Sequence, residues 1–362
     1  MKNGISFVQL VFILMLSNGL MNHVIVIPLL LDAARRDAWL SVLGVVPLYL
    51  LFIWMIACIY RNTGNGPLLE WLKKQYGTGT AKVLSFLFAI YVFALAVITI
   101  KDTVTWVNLT FAPRTPMYIH GLVFALVCLI NSLFGIRSIA MVSVLLLPIV
   151  VVLGFFVMST NLQYKDYSYL FPILEYGWEP MKRGMVYAGA GFSELILLLL
   201  LKQHIGVKVT FWRLAVLGAI MVWLTLGPLT GAITEFGPEE AAKLRYPAFE
   251  EWRLVKIGLY IEHVDFFSIY QWFSGAFIRV SLAFYLLVEI FDFPDGRKRV
   301  RVLVLACIVA VCMALWPYDD ISFYLSLTRF LLPGLLIAAL LLSLTLALLA
   351  LLSRKKEDLH EK

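Results

Sequence analysis

Residues 184–203 read Gly-Met-Val-Tyr-Ala-Gly-Ala-Gly-Phe-Ser-Glu-Leu-Ile-Leu-Leu-Leu-Leu-Leu-Lys-Gln. The stretch is as long as a helix that crosses a hydrocarbon core, which takes about 20 predominantly apolar residues. Its second half is nearly all leucine. Its first eleven residues carry three glycines, a serine and a glutamate where leucine would be expected. An apolar run with small and ionisable residues at mid-depth predicts a spanning helix that is interrupted for a purpose.

The rest of the chain repeats the apolar run without the glutamate. Spans are expected near residues 6–33, 39–60, 83–109, 117–135, 139–159, 184–203, 210–234, 266–291, 300–317 and 328–352, about ten in all. The composition agrees: 61% of the residues are hydrophobic and 15% charged, against about 45–50% and 25% in soluble domains. The spans must be helices, because backbone amides in lipid have to be satisfied within the segment. The fold class read from the chain is therefore an all-α polytopic membrane protein. It is expected to form one transmembrane domain over 1–362, with halves at about 6–159 and 184–352 and a short tail at 353–362. The net charge of +7 comes from short loops and is no sign of nucleic acid. The basic residues Arg61, Lys73, Lys74, Lys82, Arg137, Lys202, Lys208, Arg297–Arg301 and Arg354-Lys355-Lys356 fall on one side if both termini are cytoplasmic, the arrangement the positive-inside bias favours. Residues 160–183 and 235–265 then lie outside. In the second, Phe249 to Ile261 is expected to form a helix with Trp252, Val255 and Leu259 on one side, packed on the protein or acting as a gate.

Span 1 carries Ser17-Asn18-Gly19 in mid-run, and span 6 carries Gly189-Ala190-Gly191-Phe192-Ser193-Glu194. They open the two five-helix halves, so paired breaks at matching positions are expected. A broken helix exposes free N–H and C=O groups near the midplane, where they can hold a carboxylate or a cation. Small residues also allow close helix packing. The candidate ligand-binding residues are Ser17, Asn18, Gly19, Gly189, Gly191, Ser193 and Glu194. Glu194 and Arg279 lie at similar depth in spans 6 and 8 and are a candidate structural charge pair; the other readings are that Glu194 titrates or that it faces a ligand ammonium. Ser274, Ser281 and Tyr285 share one helical stripe of span 8, which either lines a cavity or bonds back to its own helix. Lys101 is expected to snorkel to the interface. The cysteines Cys58, Cys128, Cys307 and Cys312 lie in apolar runs, the five histidines are scattered, and neither a cofactor nor a metal site is suggested. No nucleotide-binding, metalloprotease or hydrolase motif is present, so no enzymatic role is expected.

Short motifs recur in order over most of the chain. They are Arg36-Asp37-Ala38-Trp39-Leu40-Ser41, Pro113-Arg114-Thr115-Pro116, Phe171-Pro172-Ile173-Leu174-Glu175-Tyr176-Gly177, Gly191-Phe192-Ser193-Glu194, Phe236-Gly237-Pro238, Tyr246-Pro247, Val264-Asp265, Trp272 and Phe277-Ile278-Arg279. In these the chain resembles the spore germination permease family, the B subunits of spore germinant receptors of the GerA type, within the amino acid–polyamine–organocation superfamily. The resemblance implies a LeuT-like fold of five-plus-five inverted repeats with helices 1 and 6 broken, and a place in the spore inner membrane. It also implies partnership with an A subunit and a lipoprotein C subunit, and sensing of a small-molecule germinant, an amino acid or related nutrient, between helices 1, 6, 3 and 8. At span 1 the sequence departs from the superfamily. Only Gly19 stands where two close glycines are usual, which points away from an orthodox amino-carboxylate cradle. A secondary active amino acid transporter working by alternating access would use the same pocket.

Overall fold

The computed structural model describes residues 4–64, 66–206, 209–256, 263–293, 296–316 and 319–360, with side chains up to Ser353. Seven helical stretches among them are long and apolar enough to cross a membrane; the one over Leu68–Thr110 breaks at Gly77, where φ is +83°. The first, Phe7–Asn62, is two spans joined at Arg35, where φ is +44°. Met117–Leu133 is a shorter apolar helix, and Arg297–Ala314 begins with the cluster Arg297-Lys298-Arg299 and then turns apolar. Each of the ten expected spans coincides with helix over most of its described residues.

Spans 6 and 8 are central: 83% of the most apolar stretch of each is buried in the protein, against 22% for span 5. Span 8 (Phe267–Ile290) packs on span 3 (Leu68–Thr110), span 1, span 4 (Met117–Leu133) and span 5 (Ile136–Thr160). Span 2 (Ala38–Asn62) packs on span 6 and span 7 (Phe211–Phe236), and the last helix, Leu332–His360, closes over spans 2 and 6. One hydrophobic core runs through these elements, and a smaller cluster of Val157, Trp252, Val255 and Val264 lies beside it.

Local chemistry sets the ends and the breaks. Span 1 starts at a capping box: Ser6 Oγ accepts from Gln9 N at 3.2 Å, and Gln9 Oε1 accepts from Ser6 N at 2.8 Å. The helix runs through Ser17, Asn18 and Gly19 to Leu20 and then widens into a π turn, Met21–Ile25, before continuing as Val26–Ala34. The interruption thus falls one turn later than Ser17-Asn18-Gly19. Pro28 explains the place, since it has no N–H for the Val24 carbonyl. Span 6 is α-helical over Trp178–Ser193, tightens to a 3-10 turn at Glu194–Ile196 and resumes at Leu197–Leu201. Ser193 Oγ donates to the Ala190 carbonyl at 2.8 Å, a back-bond that bends helices. Span 10 carries a further π turn, Leu327–Leu331, just ahead of Pro333.

Residues 235–256 cap one end of the bundle. Gly237, at φ +77°, ends span 7, and Pro238 starts the short helix Pro238–Ala241. The helix Pro247–Leu254 follows and packs on span 7. The stretch expected to be helical to Ile261 is helical only to Leu254; Leu259 and Ile261 lie outside the described residues. Trp252 and Val255 are buried in the protein, so this helix is a packed lid. The recurrent motifs at this end also touch. Arg36 Nε pairs with Glu175 at 2.8 Å, and Asp37 Oδ1 accepts from Leu174 N at 2.7 Å.

Candidate functional site

Spans 1, 3, 6 and 8 meet on one guanidinium. Arg279 Nη2 donates to Glu194 Oε1 at 2.6 Å, and Nη1 donates to Glu194 Oε2. Nε donates to Thr99 Oγ1 at 2.8 Å, and Nη1 also donates to the Ser17 carbonyl at 3.0 Å. Both charged side chains are 1% exposed. The bidentate fork satisfies both carboxylate oxygens, so Glu194 faces Arg279 and not a ligand ammonium. The Ser17 contact follows from a tightened turn just before the π turn: Met21 N–H bonds to Asn18 O, three residues back, which leaves the Ser17 carbonyl to Arg279.

The two interruptions press on each other. Asn22 Nδ2 donates to Asn18 O at 2.9 Å, and a Cβ on Gly191 would strike the Asn22 side chain. Gly191 is therefore a close-approach position. Gly189 faces Leu336 and Val45 at ordinary contact distance. Gly19 has open space beyond it, at the wall of an apolar cavity between spans 1, 5, 7 and 8. Around the joint, Ser17 Oγ, Asn18 Oδ1 and Asn22 Oδ1 are buried without a hydrogen-bond partner among the described residues. Buried polar atoms of this kind are rare and call for an explanation.

Span 8's stripe is dispersed. Ser274 and Ser281 are buried within the bundle, and Tyr285 lies at the end opposite the lid, its hydroxyl 2.9 Å from His204 Nε2. None of the three lines the cavity at Gly19. Tyr285 instead belongs to a charge cluster in which Arg299 Nη2 contacts Glu289 at 3.0 Å and His204 Nε2 lies 3.5 Å from the same carboxylate. A second cluster closes the lid end. Arg245 bridges Asp102 in span 3 (2.9 Å) and Asp320 at the start of span 10 (3.1 Å), with its guanidinium 4.5 Å from the Tyr246 ring centre. Beneath it Trp106 and Trp272 stack at 4.0 Å, with Phe249 edge-on to Trp106. Lys101, expected at the interface, is buried beside Asp102 in span 3.

Sequence reading located Ser17, Glu194 and Arg279, which the structure brings together. It missed Thr99, Asn22 and Arg245. Asn22 carried a signal, an amide within an apolar run; threonine in a spanning helix carries little, since it bonds its own helix, as Thr99 also does to Leu95 O.

Comparison with known proteins gives the family and the fold. Residues 4–322 match the family described as Spore germination protein. Spore germination protein XB of Bacillus anthracis is 40% identical over 355 residues, 98% of this chain and 99% of that protein. Spore germination protein A2 of Bacillus subtilis (strain 168) is 22% identical, covering 84% of this chain and 86% of its own length. Among solved structures, MhsT in complex with L-phenylalanine superposes with a TM-score of 0.64 at 12% identity, covering 95% of this chain and 98% of that one. That likeness shows the LeuT-like fold, with helices 1 and 6 interrupted as the structure has them. The chain is an integral membrane protein of the spore germination permease family.

Proposed function

We propose that this chain is the germinant-sensing membrane subunit of a spore germinant receptor, and that a small polar nutrient binds where the interrupted spans 1 and 6 meet spans 3 and 8. The observation that carries the reading is the pairing, at one depth, of a satisfied charge lock with unsatisfied polar atoms. Glu194 and Arg279 tie the four spans together. Ser17 Oγ, Asn18 Oδ1 and Asn22 Oδ1 are buried beside them without partners. Of the other candidates, Ser193 and Gly191 shape span 6 at this joint, and Gly19 and Gly189 flank it.

A ligand that bonds these atoms in one arrangement of the halves 6–159 and 184–352, and not in another, shifts the balance between the two. An A subunit and a lipoprotein C subunit would read that shift in the spore inner membrane, with both termini of this chain cytoplasmic and the lid outside. Support comes from the family resemblance and from relatives named as spore germination proteins.

The test is germination of spores that lack the gene, with and without the wild-type copy restored, against single amino acids, inosine and glucose. Restoration should recover the response to at least one of them. The LeuT-like fold equally suits an alternating-access amino acid transporter. Uptake of labelled amino acid by liposomes holding this chain alone, with no change in germination, would favour that reading.

A further inference from the structure

The cavity behind Gly19 measures about 220 Å3 and lies between spans 1, 5, 7 and 8, under the lid helix Pro247–Leu254. It is small beside the roughly 300–1,000 Å3 that hold drug-sized ligands. Its walls are apolar: Met15, Leu20, Val151, Trp223 and Trp272 among others. Its mouth lies between spans 5 and 7, where Phe155 and Trp223, both half exposed, stand with ring centres 5.6 Å apart.

One end of the cavity is charged. Lys165 and Glu251 line it. Lys165 Nζ lies 3.3 Å from Glu235 Oε1, with both side chains buried. Asn161 Nδ2 donates to Glu235 Oε2 at 3.1 Å and to the Glu251 carbonyl at 2.7 Å. Glu251 has no salt bridge of its own among the described residues. It is 7% exposed, its carboxylate lies flat against Gly231, and its Oε1 has no hydrogen-bond partner among the described residues. Two carboxylates share one ammonium, so an ionised cluster is one positive charge short. A buried charge left uncompensated is costly. Burial, and Glu235 beside it, push the Glu251 carboxyl well above its usual range, the cost seen from the proton's side.

We propose that this cavity is a binding site, separate from the midplane joint, for a small apolar primary amine whose ammonium pairs with Glu251 and whose single ring or branched chain fills the apolar walls. The missing charge selects the class. A neutral alcohol supplies none, and a zwitterionic amino acid brings a carboxylate that cancels its own ammonium. The mouth between spans 5 and 7 admits such a molecule from the bilayer side, where its apolar body partitions.

The test is thermal unfolding of the purified full chain in phosphatidylcholine nanodiscs, with phenethylamine, 2-phenylethanol or L-phenylalanine added, in sodium and in choline chloride. Phenethylamine should raise the midpoint by a few degrees. 2-Phenylethanol should need about tenfold more ligand for the same shift, the loss of one charge-assisted hydrogen bond. L-Phenylalanine should give less than phenethylamine. Glu251→Gln should remove the preference for the amine over the alcohol. Gly227→Leu keeps Glu251 but fills the cavity from a position with nothing within 4 Å of its Cβ, and it should abolish the amine shift. If Glu251→Gln protein does not accumulate, Gly227→Leu carries the test. Any of four results overturns the proposal: no shift with phenethylamine; an equal shift with either analogue; an undiminished shift in Gly227→Leu; or a shift from sodium over choline that phenethylamine does not add to, which would make the group an inorganic cation site.

Discussion

Arg279 in span 8 grips Glu194 in span 6 with both arms of its guanidinium, and the same group takes up the Ser17 carbonyl left free where span 1 tightens ahead of its π turn. One side chain therefore joins both interrupted helices. Removing either partner strands a charge where there is no water to receive it, which costs about 3–5 kcal/mol in buried pairs. Glu194→Gln and Arg279→Met should each lower the thermal midpoint of the purified protein, and the double variant should lose less than the two losses added. Simple additivity would show that the pair is not coupled.

The two glycines nearest the joint should part company. Gly191 packs against Asn22, whereas Gly19 faces open space. Gly191→Leu should reduce accumulation in the membrane, since overpacking typically costs about 1–3 kcal/mol. Gly19→Leu should accumulate as the wild type does. Equal accumulation of both, measured by quantitative immunoblot, would remove the close-approach role of Gly191.

Both breaks were legible in the sequence as small and polar residues in leucine-rich runs, but the geometry of each was not. Glycine content marks where a helix can give way. Which carbonyl is freed depends on Met21 N–H bonding to Asn18 instead of Ser17, a shift of one residue that composition does not reveal. The Glu194–Arg279 pair was legible because ionisable residues at mid-depth are few. Arg245 was not: its partner Asp102 lies 143 residues away, and a loop arginine reads as solvated. Helical spacing gave Ser274, Ser281 and Tyr285 a common face. It could not show that Tyr285 reaches His204 at the far end.

Glu251 gives the lid a pH dependence of known sign. Burial first, and Glu235 second, raise its pKa well above the ordinary 4.5, while Lys165 acts the other way. The folded protein thus keeps this proton at a pH where the unfolded chain has lost it. Its contribution to stability is full below the unfolded value, falls as pH rises from about 4.5, and levels off above the raised folded value. In amine-free buffer, the thermal midpoint of the wild type should fall over that window relative to Glu251→Gln. Parallel curves would mean that Glu251 is not perturbed.

The orientation assigned to the chain is checked by a cysteine at an exposed lid position. On a cysteine-free background, Lys243→Cys should react with an impermeant maleimide added outside intact cells. Lys243 is suited because its side chain is 71% exposed. Reaction only after the membrane is opened would invert the topology.

If ligand sensing runs through the joint of spans 1, 3, 6 and 8, breaking the joint should silence the response to nutrient. The most direct measurement is nutrient-triggered germination of spores carrying Glu194→Gln or Arg61→Gln, at matched protein levels, with the nutrient that the wild-type copy restores. Arg61, at the end of span 2, is exposed, and its loss should leave the response close to wild type. Glu194→Gln breaks the fork on Arg279, and its response should be largely lost. Wild-type germination from both would show that the joint takes no part in sensing.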